Sequence, residues 1–178
     1  FNEIFGIDIP LIPLKDAGQI VTGNAARIDW NKVCPNDGET EIYLVGNPPY
    51  PGSGKQTAEQ KADYTFAFEG VSYSKNLDYI AIWFYKGARY IADTSAELAF
   101  VTTNSVTQGQ HVGLMFPMIF ALGVEIGFAY TSFKWTNNAR GNAGVTVAVI
   151  GLRSQSNRSK HLNTDGVRRI VQNINGGF

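Results

Sequence analysis

Apolar and polar positions switch between two spacings along this chain, and the switches mark out strands and helices. Gln19 to Ala25 (QIVTGNA) reads as a short strand running into a turn, and Glu41 to Val45 as a second strand carried by Ile42-Tyr43-Leu44-Val45. From Lys75 onward Leu77, Ile80, Ala81, Phe84, Ala88 and Ile91 recur at the spacing of an amphipathic helix, with Ser74 or Asn76 available as N-cap. That stripe predicts a core-facing helix. Leu98-Ala99-Phe100-Val101-Thr102 is a continuous apolar run of the kind buried on both faces of a parallel sheet. Residues Val106 to Leu122 read as a helix that Pro117 must kink or restart. Val124 to Thr131 and Val145 to Leu152 follow as strands, joined as a long hairpin by the polar Gly/Asn stretch from Asn137 to Gly144. Strand and helix alternation predicts an α/β fold, a doubly wound sheet with one antiparallel pair at its end.

Composition narrows the class. The chain has 178 residues, 44% hydrophobic and 17% charged, which suits one cored α/β domain or part of a larger one. There is no run of about 18 apolar residues and no signal-peptide pattern, so a cytoplasmic protein with no membrane partner is expected. Cys34 is alone, which excludes an internal disulfide and argues against a zinc site. Only His111 and His161 join it, so no metal-ligand cluster can be drawn. Net charge is zero, yet beyond Tyr130 the residues Lys134, Arg140, Arg153, Arg158, Lys160, Arg168 and Arg169 face only Asp165. A basic C-terminal quarter is compatible with contact to phosphates, or is simply a solvated polar tail.

The chemistry concentrates where the second strand ends, at Gly46-Asn47-Pro48-Pro49-Tyr50. At ordinary residue frequencies the letters NPPY arise by accident in about one chain in two thousand of this length. The exocyclic nitrogen of adenine, cytosine or a carboxamide is a poor nucleophile because its lone pair is delocalised. An Asn oxygen and the next backbone carbonyl are two acceptors that can hold both its N–H donors out of plane and aim the lone pair at an electrophilic methyl. Two prolines lock the backbone so that these carbonyls cannot swing away. Tyr50 offers a face on which the target ring can stack. The alternative is a proline-rich turn that merely ends a strand. Pro51-Gly52-Ser53-Gly54, directly after it, predicts a flexible loop placed to act as a lid.

Competing motifs fail. A phosphate-binding P-loop around Gly52-Ser53-Gly54-Lys55 needs Gly at Pro49 and Ser or Thr at Gln56. The dinucleotide fingerprint breaks at Thr57. Asn157-Arg158-Ser159 matches a glycosylation acceptor, with nothing else to indicate secretion. Neither histidine sits where a Ser/His/Asp hydrolase would need it.

The segments GNAARIDWNKVCP, YLVGNPPYPGS, LDYIAIWFYKGARYI, AFVTTNSVTQGQ and FAYTSFKWTNNARGNAGVTVAVIGL, in that order, resemble the catalytic domain of adenine-specific DNA methyltransferases of restriction–modification systems. The likeness is strongest to the large type II enzymes that fuse methyltransferase, target-recognition and often endonuclease parts. It implies a class I, Rossmann-like S-adenosylmethionine-dependent sheet and a flipped adenine in double-stranded DNA as acceptor. It further implies that Asn47 and the Pro48 carbonyl hold the target amino group, with Pro49 and Tyr50 completing the motif and Tyr50 stacking on the base. Asn24, where many relatives carry Asp, would contact the donor, with Asp29 as second candidate and Asn47 shared between donor and acceptor. Trp135, ahead of Phe133, would cover the other face of the extruded base. Leu77, Asp78 and Tyr79 fall near the donor, Leu77 as core.

The resemblance also shows what to expect missing. The family's first strand, its glycine-rich donor loop and the acidic residue that follows have no counterpart before Asn24, and Phe1 to Lys15 resembles the connection upstream of the third strand. Residues 1–178 are therefore expected to be one partial catalytic domain, about 1–155 forming the α/β core and about 156–178 a basic connector. Its partners would be DNA and the rest of the same polypeptide: the donor-binding half, the target-recognition domain and, in some members, an endonuclease. An exposed sheet edge and weak donor binding by the isolated fragment follow from that reading. Methyltransferases for RNA bases or a protein glutamine, and a non-catalytic DNA-binding remnant, are the alternatives.

Overall fold

The computed structural model describes residues 20–135 and 145–178. In chain order these form α1 (Trp30–Val33), β1 (Tyr43–Gly46), α2 (Ala58–Ala67), α3 (Ala81–Ile91), β2 (Glu97–Thr103), α4 (Gln110–Phe120), β3 (Val124–Trp135), β4 (Val145–Ser154), β5 (Lys160–Thr164) and β6 (Val167–Val171), with short 3₁₀ turns at Ser53–Lys55 and Asn104–Thr107. The strands make one mixed sheet in the order β1-β2-β4-β3-β5-β6. β1 and β2 run parallel, joined through α2 and α3, and β5 runs parallel to β3; the remaining pairs are antiparallel. The antiparallel β3–β4 pair expected from the sequence is present, but β4 sits inside the sheet, between β2 and β3. Residues 1–19 and the 137–144 connection lie outside the described residues.

The register explains where the core sits. Leu98 pairs with Leu152 and Phe100 with Ile150, and on the next ladder Leu152 pairs with Ile126 and Ile150 with Ala129. All six are buried, so one continuous apolar row crosses the three central strands. α3 packs onto it: the Phe84 and Phe100 rings meet edge to face at 5.4 Å, and an added Cβ on Gly87 would stand 2.5 Å from Leu98 Cδ2. Fully burying side chains such as Ile80, Phe84 and Ile91 stabilises the fold by roughly 1.5–3 kcal/mol each. β2 is not buried on both faces, as its continuous apolar run predicted. Its burial alternates, because α3 packs on the face that carries Leu98 and Phe100, while Ala99 and Val101 on the other face are half-buried.

Several elements differ from the sequence-based expectation. Ile20 to Ala25 form no strand: Asn24 Oδ1 accepts the Ala26 N–H at 2.9 Å and its carbonyl accepts from Arg27 and Ile28, which closes a turn instead. α3 begins later than the stripe, because Ser74 Oγ accepts the Asn76 N–H and Ser74 so closes its own turn; neither residue caps the helix. The break expected at Pro117 falls earlier, at Gly109 (φ 58°), and α4 runs through the proline. α2 was not anticipated, although Thr57 and Gln60 form a reciprocal capping box at its start. The last residues are not a plain connector. β5 and β6 form a hairpin through Asp165 (φ 50°) and Gly166 (φ 77°), the two left-handed positions that an Asp-Gly turn supplies.

Candidate active site

Asn47 stands immediately past the last residue of β1, whose Gly46 pairs with Phe100 of β2. Asn47 and Pro49 are exposed, Pro48 is buried, and Tyr50 is half-buried against the core. The buried proline fixes the backbone while its neighbour Asn47 is left free to meet a ligand. Asn47 lines an open, mostly apolar cavity of about 640 Å³. One wall is Leu44 to Pro49; the other is Gly23, Ala25, Ile28 and Trp30, with Trp83 and Tyr90 of α3 closing the floor. The cavity follows the edge of β1 that has no described strand beside it, where Tyr43 and Val45 are 64% and 75% exposed. The edge expected to be unpaired is unpaired among the described residues.

The segment after the motif is fastened, not a free lid. Ser53 N–H donates to Asp78 Oδ1 at 3.2 Å, and Tyr79 N–H donates to the Pro51 carbonyl at 3.1 Å. Gln56 Nε2 donates to the Leu77 carbonyl at 2.9 Å. The other Asp78 oxygen, Oδ2, accepts from Ser105 Oγ at 3.3 Å and lies 3.3 Å from His111 Nε2. Burial pushes the Asp78 carboxyl up, but His111 and the Ser53 and Ser105 donors outweigh it, so it stays below the ordinary carboxylate value. Asp78 thus joins the segment after β1, the turn after β2 and the first turn of α4. All three lie at the carboxyl end of the sheet, the side where open α/β sheets bind their ligands.

A second buried carboxylate organises the opposite wall. Asp63 of α2 receives Arg27 Nε at 2.6 Å, Asn24 Nδ2 at 3.1 Å and the Tyr79 hydroxyl. Burial raises its pKa, and these three donors together bring it below its ordinary value. The Gly23 to Arg27 turn is therefore held on α2 by the Asn24 and Arg27 side chains, with Gly23 and Ala25 lining the cavity.

With this geometry in place, the family model described as MmeI, DNA-methyltransferase domain, matches residues 1–164. The chain belongs to that family. It is 46% identical over 174 residues to DNA methyltransferase A of Bacillus subtilis (strain 168), covering 97% of this chain and 20% of the relative. A solved structure of the type IIL restriction–modification enzyme MmeI in complex with DNA superposes with a TM-score of 0.81 at 36% identity, over 99% of this chain and 24% of that one. The chain thus spans about a fifth to a quarter of the length of these relatives.

Within this MmeI-type domain the residues singled out from the sequence divide into three groups. Asn47, Pro48 and Pro49 share one cavity with the neighbours of Asn24, and Tyr50 follows directly. Asn24 turns its own side chain to Asp63, and Asp29 caps α1 by accepting the Asn31 N–H at 3.0 Å. Asp29 lines a different, polar cavity of about 400 Å³ with Arg27, Lys86 and Arg89. Phe133 and Trp135 lie at the carboxyl end too, since Phe133 pairs with Val147, itself the partner of Thr103. They sit on β3, separated from β1 by β2 and β4, with rings 6.5 Å apart and 39% and 42% exposed. Ser132 is joined to Asn104, which ties that end of β3 to the turn after β2. Leu77, Asp78 and Tyr79, expected near the donor, do not line the cavity beside Asn47: Leu77 is core, Asp78 gathers Ser53, Ser105 and His111, and the Tyr79 hydroxyl donates to Asp63. The place of Trp83 and Tyr90 in the cavity wall and the partners of Asp78 were missed, because no spacing in the sequence links Asp78 to Ser53 or His111.

Proposed function

We propose that this chain is the acceptor-holding part of a DNA methyltransferase that transfers a methyl group from S-adenosylmethionine to the exocyclic 6-amino group of a flipped adenine, within a longer restriction–modification polypeptide. The observation that carries the reading is Asn47, exposed at the carboxyl end of β1 on a backbone anchored by buried Pro48. The family membership and the two relatives support the wider class.

In this reading Asn47 Oδ1 and the Pro48 carbonyl accept the two N–H bonds of the adenine amino group and hold it out of the ring plane. That restores lone-pair density to the nitrogen and aims it at the donor methyl, whose bond to sulfur would break as the N–C bond forms, the thioether leaving with the electron pair. Tyr50 stacks on the extruded base, and Trp135 or Phe133 covers its other face. The proton lost on methylation leaves to water, because no side chain of shifted basicity is needed next to an amino group that becomes cationic on alkylation.

The cavity beside Asn47 fits the donor in kind. Its volume lies in the range of small-molecule sites and it has aromatic walls in Trp30, Trp83 and Tyr90. S-adenosylmethionine supplies an electrophilic methyl on a sulfonium. The residues of this chain that would hold it are the Gly23 to Ala25 backbone and Asn47. Asp29 stays the second candidate: it lines the adjoining polar cavity, which shares Ile28, Trp30 and Tyr90 with this one.

The test is tritiated methyl transfer by the complete polypeptide that carries this chain, offered duplex DNA, RNA and a release factor in parallel. Label recovered as N6-methyladenine from DNA supports the reading. Label in cytosine, RNA or protein, or no transfer, overturns it.

A further inference from the structure

We infer that Asp78 is a positioning residue for methyl transfer: its carboxylate holds the segment that follows Tyr50 against the ends of β2 and α4, and so sets where Tyr50 and the Pro48 carbonyl stand. The inference rests on the proposal that Asn47 to Tyr50 form the acceptor motif.

The geometry distinguishes this from ordinary packing. Asp78 is only 7% exposed, yet it reaches donors on three separate elements. Oδ1 takes Ser53 N–H, and Oδ2 takes Ser105 Oγ and faces His111 Nε2. Gly52 leaves the approach open, since a Cβ there would lie 3.3 Å from Oδ1. The neighbours of Asp78 complete the attachment through Tyr79 N–H to Pro51 O and Gln56 Nε2 to Leu77 O. A glycine-rich segment that composition alone would leave mobile is therefore held at both ends, and Pro51, the residue after Tyr50, is one of the fastened points. A carboxylate accepts from all three at once; an amide would keep its oxygen for Ser53 and present an N–H₂ to Ser105 and His111, holding them only if the hydroxyl and the imidazole nitrogen turn to accept. Preorganising the residue next to the stacking tyrosine matters because misplacing a reacting group by about 1 Å costs roughly a hundredfold in rate.

Ser53→Pro provides a variant that leaves the buried carboxylate in place. Ser53 is the first residue of its 3₁₀ turn and follows Gly52 in extended conformation (φ −61°, ψ 156°), which a following proline tolerates; the ring removes the donated N–H and the hydroxyl and sets its Cδ against Asp78 Oδ1, so the attachment is broken at the Ser53 end with Asp78 itself unchanged. The experiment compares Asp78→Ala, Asp78→Asn, Ser53→Pro and Asn47→Ala in the complete polypeptide that carries this chain. The readouts are kcat and KM for DNA at saturating S-adenosylmethionine, with trypsin cleavage after exposed Lys55 reporting release of the segment. We expect kcat to fall roughly tenfold to a hundredfold in Asp78→Ala and Ser53→Pro, less in Asp78→Asn, with KM for DNA little changed and faster cleavage after Lys55 in both Asp78 variants. If Asp78→Ala does not fold, Ser53→Pro decides. Loss of activity in Asn47→Ala together with unchanged kcat in Ser53→Pro and Asp78→Asn overturns the positioning role alone. Full activity in Asn47→Ala overturns the acceptor reading instead.

Discussion

Asn24 donates its side-chain amide to Asp63, at 3.1 and 3.3 Å from the two carboxylate oxygens, and not into the cavity its neighbours line. The same carboxylate takes Arg27 and the Tyr79 hydroxyl, so one buried acid anchors the Gly23 to Arg27 turn to α2 and to the start of α3. Asp63→Ala leaves these donors without their shared acceptor and is expected to destabilise the domain by about 2–3 kcal/mol. Urea midpoints of the two proteins measure it; an unchanged midpoint contradicts the anchoring role.

Acid should weaken the fold in a defined window. Asp63, Asp78 and Glu125 all titrate below their ordinary values in the folded protein, against burial, because each accepts from cationic or polar donors; for Glu125 these are Lys160 and Arg153, each at 2.9 Å. A group whose folded pKa is depressed contributes its full stabilisation above the unfolded pKa and loses it as pH falls through the folded value. Thermal midpoints should therefore vary little with these groups down to about pH 5 and drop steeply below about pH 4. Rising stability below that point would contradict the assignment.

Gly87 lets α3 approach β2. Glycine inside a helix costs about 1 kcal/mol relative to alanine, and here the close contact with buried Leu98 opposes any larger side chain. Gly87→Val should destabilise by about 1–3 kcal/mol, read as a lowered melting temperature. A melting temperature equal to or above that of the parent would show that the interface yields.

The open edge of β1 invites pairing with another chain. Val45, 75% exposed, faces solvent beside backbone groups with no described partner strand. The isolated chain should self-associate with concentration in sedimentation velocity, and Val45→Lys should reduce this without lowering the melting temperature. Association unaffected by the lysine would place the contact elsewhere.

Legibility in the sequence followed the range of the interactions involved. The stripe Leu77, Ile80, Ala81, Phe84, Ala88, Ile91 is buried throughout, and β2, β3 and β4 lie on the runs that predicted them, because burial there is written in local periodicity. The end of β1 before the NPPY segment was legible because prolines cannot donate to a continuing ladder. Turn chemistry competed with periodicity at Ile20 to Ala25, where Asn24 closes on Ala26. At the β5–β6 hairpin, Arg168 and Arg169 made a strand read as a polar tail although Asp165-Gly166 signalled the turn. The fastening of Pro51 to Gln56 was not legible at all. It depends on Asp78, which lies 25 residues along the chain from Ser53 and meets it only through the tertiary fold.

Asn47→Ala tests the central claim most directly, by single-turnover methyl transfer to duplex DNA with DNA affinity measured on the same protein. The account predicts that transfer falls by about a hundredfold or more, the loss typical of removing a preorganised hydrogen-bonding group, while DNA affinity is nearly unchanged. Transfer at the parent's rate would contradict it.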